Sequence, residues 1–265
     1  SDSYSKISGI GFDNTGTSWA SLFFDNNTYQ KVMVSDCIIE GGNYGIFVGS
    51  ENLFDLTVTN CEIKDAKFMG IVIQTLFNGY LNGRIFNNLI VGNASTGISA
   101  AASDGTKIEL EIENNTIYGP GSSKGISGQG SSTLTVTNNI ISNYPTGIFR
   151  QGLYSEIIAS YNNVWGNTVN YSGVIPGPGS ISADPKFVTG RLGDFYLDPR
   201  GPSVNSGSSS SMLLGLYRGF TTSVDERWDE GRVDMGFHYP SNRGSPKSLP
   251  IAQILKILKA NKDKE

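Results

Sequence analysis

Asn87-Asn88-Leu89-Ile90, Asn114-Asn115-Thr116-Ile117 and Asn138-Asn139-Ile140-Ile141 are copies of one pattern, two polar residues followed by an apolar pair. Asp36-Cys37-Ile38-Ile39 and Asn60-Cys61-Glu62-Ile63 precede them and Asn162-Asn163-Val164-Trp165 follows, at spacings of 24, 27, 27, 24 and 24 residues. A glycine followed by Ile or Val recurs in step, at Gly45-Ile46, Gly70-Ile71, Gly97-Ile98, Gly125-Ile126, Gly147-Ile148 and Gly173-Val174. Repetition at a fixed short period marks a solenoid. Before each polar pair, apolar residues alternate with polar ones, as in Val32 and Val34, Leu56 and Val58, Leu110 and Ile112, and Leu134 and Val136. A period of two means strand. About three short strands fit each copy and helical crossovers do not, so the chain is expected to coil as parallel strands stacked at the ~4.8 Å strand spacing.

Composition agrees and excludes much else. Of 265 residues, 17% are charged and 33 are glycine, which suits a turn-rich β protein. A net charge of −4 offers no basic footprint for nucleic acid. One histidine, His238, rules out paired-imidazole zinc motifs, and two cysteines rule out all-cysteine metal sites. The sequence Gly121-Ser122-Ser123-Lys124-Gly125 matches G-x-S-x-G literally, but no helix pattern follows to form a nucleophile elbow. No phosphate-cradling glycine motif is present, and no apolar run reaches the ~20 residues of a membrane span. The start, Ser1-Asp2-Ser3-Tyr4, reads as a mature or trimmed terminus.

The repeat resembles the right-handed parallel β-helix of the pectate-lyase-like superfamily over roughly residues 30–176. That resemblance implies an all-β solenoid, here of about eight coils, in which an asparagine at one sharp bend stacks on its neighbours. The second polar position, Cys37, Cys61, Asn88, Asn115, Asn139 and Asn163, looks like that ladder. Cys37 and Cys61 are expected as stacked free thiols, with a disulfide as the alternative. Asp184-Pro185-Lys186-Phe187, Asp194-Phe195-Tyr196-Leu197, Gly201–Gly207 and Gly231–Gly236 resemble the tail of bacterial secreted β-helix proteins, where such motifs close the last coils. Gly201 replaces the usual Ser there, and Asn205 the usual Asp. The expected organisation is an irregular N-terminal coil and cap over 1–35, with Gly9-Ile10 as a seventh glycine pair and Phe23-Phe24 covering the open end. Regular coils follow over 36–176, terminal coils over 177–240, and a linker with a short amphipathic helix over 241–265. Ile251, Ile254, Leu255 and Leu258 carry that helix, which would dock on the solenoid or on a second chain.

Family resemblance implies a site along the outer face of one strand stack, taken here as the strands after the Gly-Ile pairs. Alternation places Phe47, Val72, Ser99, Ser127, Phe149 and Ile175 outward, then Gly49, Gln74, Ala101, Gln129, Gln151 and Gly177. No carboxylate stands among them, which disfavours the carboxyl pair of a glycoside hydrolase. The leading expectation is an exported protein, extracellular or at the cell surface with the periplasm as an option, that binds polysaccharide. Phe47 and Phe149 would stack on sugar rings, with Tyr44, Tyr144 and Tyr154 as further candidates, while Gln74, Gln129 and Gln151 bond hydroxyls. One alternative is a polysaccharide lyase using Lys124 or Arg150 as base, with Asp104 and Lys67 on flanking coils. The resemblance would then allow a calcium cofactor; otherwise none is expected, and no metal ligands are assigned. Alternation turns Arg150 inward, so the strand is expected to end there and release it to the surface. The other alternative is a structural adhesin that assembles through residues 249–260. Asp225, Asp229 and Glu230 near Arg227 and Arg232 read as a salt-bridged loop, and His238 as a packed residue.

Overall fold

Among the described residues, three parallel sheets of seven strands each wrap one continuous apolar core. The structure is a computed structural model describing residues 3–14, 19–26, 30–120 and 123–242. The first sheet contains Ser3–Ser8, Gln30–Ser35, Leu53–Thr59, Tyr80–Phe86, Lys107–Glu113, Ser132–Thr137 and Glu156–Ser160. The second runs from Gly11–Asn14 to Asn163–Trp165, and the third from Ala20–Asn26 to Val169–Ser172. Each coil takes one strand from each sheet and stacks in register on the last, so Ile46, Ile71, Ile98, Ile126 and Ile148 form one buried column. The eight coils expected are not confirmed: beyond the seventh strand of each sheet parallel pairing continues only as two isolated bridges, Ala159 to Pro176 and Asn163 to Ile181. The amphipathic helix expected at Ile251–Leu258 lies outside the described residues.

The two polar residues of the motif do different jobs. Asp36, Asn60, Asn87, Asn114 and Asn138 adopt left-handed backbone with φ between 52° and 60°, which turns the chain from the first sheet into the second. Asparagine tolerates that conformation better than most side chains. The next residue points inward. Asn115 Nδ2 donates to Ile85 O and Glu113 O, while Asn115 Oδ1 accepts from the backbone N–H of Asn88 at 2.9 Å. Asn88 and Asn139 repeat the pattern. The final rung is Asn162, which accepts from Asn139 N, not Asn163 as the motif alignment suggested. Tyr161 holds the left-handed position in that copy (φ 52°), which hides the motif by one residue. Cys37 and Cys61 are free and buried, and their thiols reach Ser35 O and Thr59 O, the same relative carbonyl that the asparagines reach.

The glycine column has an equally direct cause. A Cβ on Gly97 would lie 2.7 Å from Gly125 O and 2.4 Å from Ile117 Cγ2, and Gly45, Gly70, Gly125 and Gly147 are crowded in the same way. Backbone of one coil sits where any side chain of the next would begin. Two glycine assignments fail on register. In the last coil Tyr171 stacks on Ile148, so the position after Gly147 is Asn170, and Gly173-Val174 lies past the strand. Gly9-Ile10 is instead a corner, with Gly9 at φ 68°; Leu22 is the residue that stacks on Ile46. The described strands of the first coil stack in register on the second: Phe24 points inward over Val48, while Phe23 faces out.

The start of the tail pairs with the last coil, through Pro176, Pro178 and Ile181. The rest turns back and runs along the corner between the first two sheets, toward the first coils. Asn163 meets Ser203, Asn138 meets Ser208, Asn114 Nδ2 donates to Asp234 O, and Asn87 bonds both N–H and C=O of His238. The outward asparagines thus act as a row of amide brackets for a second backbone. Leu89 and Phe86 on the solenoid receive Tyr196, Phe237, Tyr239, Leu216 and Val233 from the tail.

Gly97→Ala and Asn115→Ala are each expected to lower unfolding free energy by about 2–3 kcal/mol. Gly11→Ala, whose Cβ meets nothing within 4 Å, is expected to stay within about 0.5 kcal/mol; urea denaturation distinguishes them. Burial pushes the phenols of Tyr144, Tyr196 and Tyr239 above their ordinary value of 10. Their ionisation is easier in the unfolded chain, so stability is full below that pH and is lost as pH rises beyond it. Melting temperatures measured across alkaline pH are expected to fall from about that point upward.

Candidate functional site

Strand register builds the outer face of the third sheet from parallel columns. One runs Phe23, Phe47, Val72, Ser99, Ser127, Phe149, Ser172, and the next includes Gly49, Gln74, Ala101, Gln129 and Gln151. Alternation therefore places ten of the twelve expected residues correctly; Ile175 and Gly177 lie beyond the last strand. Gln74, Gln129 and Gln151 line a groove of about 600 Å³ together with Ser103, Asp104 and Tyr154. Tyr154 is 83% exposed there. The groove floor is small, with Ala101 between two of the glutamines. Its amides each offer a donor and an acceptor.

The aromatic candidates behave differently. Phe47 is only 8% exposed, because Trp19 packs over it with ring centroids 4.4 Å apart. Phe149 is half-buried, with the Lys124 ammonium 4.7 Å from its ring centroid. Tyr144 is buried inside the solenoid, its ring filling the space beside Gly119. Besides Tyr154, exposed aromatic surface stands at Trp19, Phe23 and Phe68, each 50% exposed. With Tyr44 and Phe47 they form a continuous cluster, ring to ring at 4.4 to 6.0 Å. Sequence reading passed over Trp19 and Phe68 because both stand in loops before their strands, where alternation is silent.

Lys124, Arg150 and Asp104 do not converge. Lys124 aligns with Thr96 at the start of the third-sheet strands, and Asp104 follows Ala102 at their end. Six strand steps separate those positions, about 20 Å. The strand Thr146–Gln151 does not end at Arg150; it continues through it. Arg150 follows Val48, Ile73, Ala100 and Gly128 in an inward column, so it occupies the face opposite Lys124. Its Nε is buried without a hydrogen-bond partner. Lys67, at the loop that carries Phe68, is exposed.

A second cavity of about 650 Å³ opens within the tail, lined by Asn205, Thr222, Trp228, Asp229 and Asp234 among others. Two of its carboxylates, Asp229 and Asp234, are engaged in holding the tail. Asp234 accepts from Asn205 N and from the Thr222 hydroxyl. Asp229 accepts from Asp234 N at 2.9 Å and faces His238 Nε2 at 2.8 Å. Burial and the neighbouring Asp229 push the Asp234 carboxyl upward. The Asp225–Arg227 ion pair fits the expected surface loop, but Asp229 belongs to this buried network. Asn205 contributes its backbone N–H, which survives replacement of the usual Asp.

Among the described residues no three His, Cys, Asp or Glu side chains gather as a metal-ligand group. No helix there is long and apolar enough to cross a membrane. No curated protein and no solved structure matches the chain significantly. Residues 3–177, the whole coiled part, match the family described as Periplasmic copper-binding protein (NosD). Parallel coils, a buried asparagine ladder and this match over more than half of the sequence agree, and the chain belongs to the NosD family.

Proposed function

We propose that this is an exported protein of the periplasm or cell surface that binds polysaccharide along the outer face of the third sheet. The observation that carries the reading is the groove in which Gln74, Gln129 and Gln151 stand in one column beside the exposed Tyr154. Amides repeating along a solenoid axis suit a ligand that repeats along its own length. A rigid strand stack keeps them pre-arranged, which lowers the entropy lost on binding. The surface is open and elongated, as an extended chain requires.

Elimination chemistry lacks comparable support. A lyase base and its electrophilic partner must both reach one sugar, whereas Lys124 and Arg150 stand on opposite faces and Asp104 lies about 20 Å from the level of Lys124. Copper, which the family's description carries, does not fit the donors described. Copper sites draw on imidazole and thiolate ligands. Here His238 has both ring nitrogens engaged, by Gly236 O and Asp229. Cys37 and Cys61 are buried in the ladder with their thiols on backbone carbonyls. No step is assigned to a metal. Assembly through residues 249–260 concerns a segment outside the described residues.

A glycan array probed with the whole chain is expected to give selective binding to extended glycans. Gln129→Ala with Gln151→Ala is expected to weaken it about tenfold, from the loss of two or more hydrogen bonds. The melting temperature is expected to hold, since both side chains are exposed. An array without binding would overturn the reading.

A further inference from the structure

The groove occupies only part of the third-sheet face; the aromatic cluster of Trp19, Phe23, Tyr44, Phe47 and Phe68 lies on the same face at its first coils. We infer that the cluster is the ring-stacking end of the same binding surface, and that its ligand is an uncharged glycan. This deepens the polysaccharide reading and rests on it.

Three observations carry the inference. Trp19, Phe23 and Phe68 are each 50% exposed and join ring to ring through Tyr44 and Phe47 into one contiguous apolar patch. The cluster reaches from the first coil to the loop entering the third, two coil steps or about 10 Å, enough to meet successive rings of an extended chain. Its centre is rigid: Phe47 is wedged under Trp19 and stacks with Phe23 at 27° between planes. A sugar presents an apolar C–H face to such a surface and its hydroxyls to amides further along. Aromatic rings and glutamines on one face match both halves of that chemistry.

Charge selects the class. Among the described residues, register places Asp25 in the outward column of Gly49 and Gln74, and the cations at this face are Lys124, whose ammonium already lies over the Phe149 ring, and the exposed Lys67 beside Phe68. The groove wall adds one carboxylate, Asp104. A polyanionic chain would meet the acidic residues Asp25 and Asp104 as well as the cations Lys67 and Lys124, with no excess of positive charge along the face. An uncharged chain meets no such penalty and needs only the amides and rings that are there.

Titration of the whole chain with soluble β-glucan and galactomannan, and in parallel with polygalacturonate and alginate, tests the inference by calorimetry and tryptophan emission. Expected is binding of an uncharged probe, with an emission change that disappears in Trp19→Ala. Affinity should hold as salt rises from about 0.1 M to about 1 M, and fall about tenfold in Phe68→Ala. Phe68 is a half-exposed loop residue, so that variant keeps the test valid if Trp19→Ala disturbs the first coil; its melting curve is the control. Binding by the polyanions alone would overturn the inference and leave the polysaccharide reading standing. Uncharged glycan binding undiminished in Phe68→Ala would overturn the stacking surface while the groove remained. Silence with all four probes would overturn both.

Discussion

Every coil must lie directly on the one before it, and that in-register contact is the constraint on which the rest of the molecule depends. It brings the Gly97 backbone against Gly125 O so closely that no side chain fits between. It also buries asparagine amides whose bonds can be met only by the neighbouring coil and their own strand. An unmet buried amide costs about 1–3 kcal/mol, so a coil shifted by one residue would lose several such bonds together. The glycines allow the approach and the amides penalise every other register. Where asparagine is absent, a thiol takes the same carbonyl, which shows that the site requires a small inward donor more than an amide as such.

The same constraint explains what was legible in the sequence. A period of two and a repeat near 24 residues are direct images of strands and coils, so Val32, Leu56, Leu110 and Leu134 announced their inward faces without ambiguity. Ends were harder. At Tyr161-Asn162-Asn163 a bulky residue occupies the left-handed corner, and the visible Asn-Asn pair sits one residue late. At the last coil the glycine column ends in Asn170, because no further coil presses on it and the steric demand for glycine lapses. The tail's course was hidden for another reason. Its motifs looked like closing coils, but their partners are outward asparagines up to 151 residues away, and nothing local in either stretch records the pairing.

On the candidate face, direction was readable and exposure was not. Alternation placed Gln74, Gln129 and Gln151 outward correctly. It also placed Phe47 and Phe149 outward correctly, yet Trp19 covers one and Lys124 caps the other. Covering groups arrive from loops and neighbouring coils, whose lateral position has no periodic signature. Lys124, Arg150 and Asp104 failed to meet for a related reason: adjacent coils bring residues close only when they share a column and a face. Arg150 continues the inward column past Gly128, while the Lys124 ammonium reaches over Phe149 on the outer face.

A flat, rigid face of this kind constrains how it can bind. No enclosing pocket surrounds a ligand, so no single contact is strong; a stacked ring contributes about 0.5–1.5 kcal/mol and an exposed amide bond about as much. Affinity must then come from many contacts made at once by one chain, each added contact being intramolecular once the first has formed. That additivity requires the contact groups to hold fixed spacing, and the ladder beneath the sheet holds it. Stability of the core and selectivity for an extended ligand are therefore two consequences of the same in-register stack. The tail, bracketed on the opposite corner by Asn87, Asn114 and Asn138, stiffens that stack without occupying the face.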